Sequence, residues 1–339
     1  MFNKLINKLK KTQMFWNISS KFSLLYFFAS YQHKRLPDEI IIETTNACDI
    51  RCPVCPTYFA MERKKGLMDF ELFRSIIDEF KVVAKKPLIS MSFSGEPLLN
   101  KNIDRFVKYA AENGHKTYIS TNATTLSKDL SMRLIKSGLS SIHLCIDGFN
   151  KESHEAYRVG SNFERIKKNI EDFMSAVRES NIKRDEHFVT IQTLLTSFSE
   201  YEMDEITEWT RNIGADQVNF KSLSMGSYTT KLIKEKYSYL LPTQEKFKRK
   251  TTGLYRTLCS VPLRQAVVYW NGDLGLCCVD FNNMTKLPNI KERGFIKTFL
   301  SKEVLHKRRL GFQKRYDLCK GCSLGNADFM GLNVSTRVE

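Results

Sequence analysis

The stretch TTNACDIRCPVCP, Thr44 to Pro56, decides how this chain is read. It follows an apolar run, EIIIETT, and sets Cys48, Cys52 and Cys55 in a C-x3-C-x2-C triplet. Thiolates this close suit a metal site, because sulfur ligands select zinc or iron–sulfur clusters. A structural zinc site closes its tetrahedron with four ligands. No fourth Cys or His lies nearby, and the next histidine is His115. Three thiolates on a four-iron cube leave one iron open to a small molecule. The competing readings are three unpaired structural thiols, or a zinc knuckle completed from afar.

At 339 residues, with 42% hydrophobic and 27% charged residues, the chain has the composition of a globular protein with room for a large and a small domain. Its nine cysteines, grouped as C-x3-C-x2-C and C-x2-C, fit metal binding in a reducing compartment better than a disulfide framework. Iron–sulfur thiolates are lost to oxidation outside the cell, so the expected location is cytoplasmic. The net charge is +16, from 53 basic and 37 acidic residues, and no acidic residue precedes Asp38. Such charge attracts anionic membranes, nucleic acids or anionic substrates, or only solvates a lysine-rich surface. No RNA-binding aromatic motif accompanies it, so nucleic acid is not expected as a partner.

Residues 1–35 form a basic segment with Phe2, Leu5, Ile6 and Leu9 at helical spacing. Its apolar run from Phe22 to Ser30 is too short to span a membrane, which takes about 20 residues. It reads as a helix packed on the barrel or one lying peripherally on a membrane. From Asp38, six strands alternate with helices: EIIIETT, PLISMSF, HKTYIST, SIHLCID, HFVTIQTLL and DQVNFKSL. The S-x-x-E pairs Ser161/Glu164 and Ser199/Glu202 predict capping boxes, and Gly114, Gly138 and Gly214 predict helix ends. Six β–α units predict an α/β protein with a parallel sheet, a partial (βα)6 TIM-like barrel over 36–224 whose site lies at the strand C-termini. Residues 225–255 read as a linker. Residues 256–330 read as a small C-terminal cysteine-rich domain with a hairpin at AVVYWNGDLGLCC, and 331–339 as a tail.

The triplet, with FSGEPLL one β–α unit later, resembles the radical S-adenosylmethionine (radical SAM) superfamily. The resemblance implies an enzyme in which Cys48, Cys52 and Cys55 hold a [4Fe–4S] cluster whose open iron chelates SAM. SAM is then cleaved reductively to a 5′-deoxyadenosyl radical, which takes a hydrogen atom from substrate. Ser94, Gly95 and Glu96 stand at the family's GGEP turn, with Glu96 expected against the SAM ammonium group. Asn122 stands at the TNG turn. Cys145 replaces a family serine that contacts the ribose, which makes Asp147 the better polar candidate. Arg158 stands where relatives offer a guanidinium to the SAM carboxylate; a salt bridge is the alternative. Val54 departs from the family, which often carries an aromatic residue there beside the adenine.

The spacing Cys259-x12-Gly272-x4-Cys277, followed by Cys319-x2-Cys322, resembles a SPASM or twitch auxiliary-cluster domain. This implies a second [4Fe–4S] cluster, with a zinc ribbon as the rival. The motif selects Cys277 as ligand; Cys278 then becomes a candidate hydrogen-atom donor and Asp280 a candidate general base. The implied function is an oxidoreductase acting on a peptide, or on a small molecule such as a sugar or aminocyclitol. The implied electron donor is a flavodoxin or ferredoxin, and the substrate radical is expected to lose an electron to the auxiliary cluster or to form a bond in a peptide. The alternatives are a redox-neutral epimerase and a non-catalytic zinc- or nucleic-acid-binding protein.

Overall fold

The computed structural model describes Phe22, Leu25 and residues 36–180, 188–226, 229–249, 258–320, 322 and 333–338. The expected N-terminal helix lies outside the described residues, apart from the exposed Phe22 and Leu25. Among the described residues no helix is long and apolar enough to cross a membrane.

The elements run β1 (Glu39–Ile42), α1 (Pro56–Phe59), α2 (Phe70–Glu79), β2 (Leu88–Ser90), α3 (Ile103–Glu112), β3 (Thr117–Thr121), α4 (Lys128–Lys136), β4 (Ser141–Cys145), α5 (Lys151–Tyr157), α6 (Phe163–Glu179), β5 (Phe188–Leu195), α7 (Met203–Ile213) and β6 (Gln217–Ser222). Then come α8 (Lys231–Lys236), α9 (Val261–Arg264), β7 (Gln265–Val268), β8 (Leu274–Gly275), α10 (Phe295–Phe299), α11 (Lys302–Phe312) and β9 (Asn333–Arg337). The strands form one 9-stranded sheet in the order β8-β7-β1-β2-β3-β4-β5-β6-β9. The six expected strands are present, consecutive and parallel, as an open barrel requires.

Helices cover the outer face of the sheet, and at β1 and β7 the inner face is packed as well. Ile40 and Ile42 of β1 point to the helices, joining Phe73, Ile76, Ile77 and Phe106 in the main core. Ile41, between them, points inward to Val267, Tyr269 and Phe93. Asp69 caps α2 and Ser127 caps α4 through side-chain bonds to first-turn N–H groups. Gly114, Gly138 and Gly214 all have positive φ, as their expected place after helices requires.

Several expectations need correction. Neither capping box forms. Asn162, not Ser161, caps α6 by accepting from Arg165 N. Ser199 bonds to Thr196, and α7 begins only at Met203. The AVVYWNGDLGLCC hairpin forms, but β7 also pairs in parallel with β1, so the sheet has a seventh parallel strand. Residues 333–337 of the presumed tail pair antiparallel with β6. The presumed linker supplies Leu240, fully buried in a small core with Ile50, Cys52, Val54, Tyr157 and Leu223. For β7, β9 and Leu240 a distant partner decides, and nearby residues carry no signal of it.

Candidate active site

A cavity of about 410 Å³ opens at the C-terminal ends of β1–β6. The cysteine loop forms one wall. Its ends are pinned where Asn46 donates to Lys64 O (2.9 Å) and accepts from Gly66 N (2.9 Å). Pro56, the first residue of α1, starts the short helix that turns the loop away after Cys55. Cys48, Cys52 and Cys55 are free thiols and all line the cavity. Burial pushes the Cys48 thiol up to about 11, and pushes Cys52 up too, against the pull of Arg158. Metal binding has to displace those protons. Among the described residues no three His, Cys, Asp or Glu side chains converge on a single metal ion. A polynuclear cluster, in which each thiolate takes its own iron, does not require that convergence.

The turn after β2 presses on this loop. Gly95 has φ +89, and a Cβ there would lie 2.6 Å from Ala47 O and 2.7 Å from Thr45 O. Only glycine fits so close an approach. Glu96 N donates to Ala47 O at 2.7 Å, tying the two segments together. The Glu96 carboxylate lines the cavity and accepts from Leu98 N (3.0 Å), Thr121 Oγ1 (2.6 Å) and Asn122 N (2.8 Å). Burial raises its pKa to about 7 despite those donors. Ser94 is buried beside Glu43, outside the cavity lining.

Asn122 donates to Asp49 (2.9 Å) and to Cys48 Sγ (3.9 Å), and Thr124 also donates to Asp49 (2.5 Å). Asp147 is buried and bonds Arg158 Nε at 2.5 Å; its other oxygen accepts from Leu194 N at 2.7 Å. Arg158 lines the cavity and Asp147 stands behind it, so the expected salt bridge forms, but buried rather than at the surface. Val54 is buried against Tyr157 and Leu240; Tyr58 instead brings a ring to the cavity wall.

Sequence reading singled out only Cys145 of the far wall. Tyr118, Ser120, Cys145, Gln192 and Lys221 face the same cavity from β3 to β6. The signal was present: Tyr118/Ser120 and His143/Cys145 are two apart, so each pair shares one face of its strand. Gln192 Nε2 and Ser120 Oγ each lie 3.5 Å from Cys145 Sγ.

Cys278 and Asp280 do not line this cavity. Asp280 is fully buried and accepts from Met284 N (2.7 Å), Thr285 Oγ1 (2.5 Å) and Leu276 N (3.4 Å). Those bonds make it the organiser of its own loop rather than a base facing substrate. Cys278 packs against Ile41, Val267, Tyr269 and Phe93. Burial pushes its thiol up to about 12, helped by the neighbouring Cys322 and Cys259. Cys277 is pushed up by burial, then by Cys278, Asp280 and Cys259. Cys319 has Cys259 and Cys322 as neighbours. The C-terminal region is tied to the cysteine loop by Arg63, which bonds Glu43 and Phe281 O and stacks on Tyr269.

A profile of the radical SAM superfamily matches residues 42–210, and one of an iron–sulfur cluster-binding domain, SPASM, matches 259–323. The tungsten-containing aldehyde ferredoxin oxidoreductase cofactor-modifying protein of Pyrococcus furiosus is 21% identical over 323 residues, covering 86% of this chain and 89% of that one. The chain also matches AdoMet-dependent heme synthases and PqqA peptide cyclases, over less than half of their own length. The crystal structure of BtrN with AdoMet and 2-DOIA is similar with a TM-score of 0.55 at 18% identity, covering 88% of this chain and 99% of that chain. Streptococcus suis SuiB bound to its precursor peptide SuiA aligns with a TM-score of 0.62 at 18% identity, over 87% and 72% of the two chains. At these identities the structures speak for the fold alone.

Proposed function

The chain belongs to the radical SAM superfamily and carries a SPASM-type iron–sulfur domain, and from that premise we propose that it is an oxidoreductase removing a hydrogen atom from a peptide or a sugar-like small molecule. One observation carries this reading: Cys48, Cys52 and Cys55 share a cavity with Gly95, Glu96, Asn122 and Arg158. The three thiols would hold the SAM-binding [4Fe–4S] cluster. Arg158, steadied by Asp147, would orient the SAM carboxylate, while the turn at Gly95 and Glu96 would receive its ammonium group. When bound, cluster and SAM together supply a carbon radical strong enough to break an unactivated C–H bond. Cys259, Cys319, Cys322 and one of Cys277 and Cys278 would hold the auxiliary cluster, which would take the electron that the substrate radical loses. The reducing electron would come from a flavodoxin or ferredoxin in the cytoplasm.

Anaerobic reconstitution tests this. The protein should take up about eight irons and eight sulfides, on the stoichiometry of two four-iron clusters. Replacing Cys48, Cys52 and Cys55 by Ala should halve that and abolish SAM cleavage. Stoichiometric zinc without iron in anaerobically purified protein would overturn the reading.

A second, redox-neutral reading rests on Cys145, whose thiol faces the cavity where Cys278 does not. The thiol would give its hydrogen atom to a substrate carbon radical, and one electron and one proton from the external reductant would restore it. Solvent deuterium in the product, absent with Cys145→Ala, would favour this reading.

A further inference from the structure

Lys221, on β6, lines the cavity opposite the cysteine loop. Its Nζ donates to Gln192 Oε1 at 2.5 Å. Gln192 is itself fixed, with His143 Nδ1 3.3 Å from the same oxygen and its Nε2 donating to Cys145 Sγ. Tyr118 OH in turn lies 3.1 Å from His143 Nδ1. The ammonium is thus held in one place by a chain of side chains from four strands. An ammonium has three N–H donors, and one of them is engaged with Gln192.

The other buried cations differ, and the nearby Arg249 donates to Ser222 O. Arg158 has Asp147, and Arg63 has Glu43. The buried Arg308 donates to two backbone carbonyls. Among the described residues no carboxylate pairs with Lys221. A charge drawn out of water without a counter-charge is costly, and the open side of this one is the cavity. We propose that Lys221 is the anion-recognition group of the substrate subsite, and that the substrate carries a carboxylate or phosphate group seated against β5 and β6. The inference rests on the radical SAM reading of the cavity and deepens it. It favours an acidic peptide or an acidic or phosphorylated small molecule over a cationic aminocyclitol, which the ammonium would repel.

The test is calorimetric titration of the reconstituted, SAM-loaded protein with inorganic phosphate and with succinate, in 0.15 M salt so that exposed lysines are screened. Saturable binding should weaken at least about tenfold in Lys221→Met, since a charge-assisted contact is lost. It should persist in Lys221→Arg and be unchanged in Lys168→Met, an exposed lysine. If the Met variant does not hold its iron, Lys221→Gln replaces it. Tighter binding of phosphate points to a phosphoryl group, and tighter binding of succinate to a carboxylate. Equal affinity in wild type and the Met or Gln variant, or no saturable binding, overturns the proposal. Iron content and SAM binding are measured on the same samples, so failure of the radical SAM reading shows separately.

Discussion

Arg158 Nε lies 2.5 Å from the buried Asp147 carboxylate, while the same guanidinium forms part of the cavity wall. A lysine cannot do both, because it lacks the planar fork. Arg158→Lys should therefore keep the iron content and weaken SAM binding about tenfold or more by equilibrium dialysis, the size of a lost charge-assisted contact. Unchanged SAM affinity would mean that Arg158 serves Asp147 alone. Asp147→Asn leaves a buried cation without its partner and should lower stability by about 3–5 kcal/mol in denaturant titration.

Gly95→Ala should be more damaging than its single methyl implies. The new Cβ would meet two carbonyl oxygens and a carbonyl carbon of the cysteine loop within 2.7 Å, none of which is a mobile side-chain end. The positive φ adds strain. The variant should retain its far-ultraviolet circular dichroism but lose cluster uptake at the N-terminal site. Normal iron content would show that the loop yields at little cost.

The adjacent thiols Cys277 and Cys278 can be separated by iron counting. Motif spacing favours Cys277. The structure places Cys278 near both Cys322 and Cys259, whereas the influences on Cys277 are Cys278, Asp280 and Cys259. Cys278→Ala should lose about four irons, the content of one four-iron cluster, and Cys277→Ala should retain them. The reverse result would restore the assignment from spacing.

His143 ties the same wall to pH. Burial, and then the charge of Lys221, hold its pKa down to about 4 from an ordinary 6.5. Between those values the unfolded chain binds a proton that the folded one does not. Stability is therefore full above about pH 6.5 and falls as pH drops toward 4, by roughly 3 kcal/mol for this group. His115 and His154 are lowered in the same direction, so the His143 share is a difference. Denaturant titrations should show a shallower acid loss in His143→Gln. Lys221→Met should move the lower end of the window upward. An unchanged acid profile in His143→Gln would mean that His143 does not titrate in this window.

How much of this was legible depended on range. Cys48, Cys52 and Cys55 could be read because their ligand pattern is written within eight residues. Gly95 and Gly214 could be read because a turn or helix end imposes a local rule. The capping at Asn162 rather than Ser161 was missed because both types cap well, and only backbone direction chooses between them. Lys221 and Gln192 looked like ordinary strand residues, since nothing nearby says which face of a curved sheet encloses a cavity. The pairing of β7 with β1 joins Glu39 to Gln265, and no short window contains both.

That pairing also bears on how the chain is made. Both flanks of the six consecutive strands are occupied by later segments: β7 and β8 beyond β1, and β9 beyond β6. A chain emerging from the ribosome would display an unpaired edge at β1 until residues 265–268 had been synthesised and one at β6 until residues 333–337 had followed, and such edges invite pairing with other chains. Contacts of such long sequence separation also make for slow folding. Fragments ending near residue 224 should then aggregate rather than behave as an independent barrel.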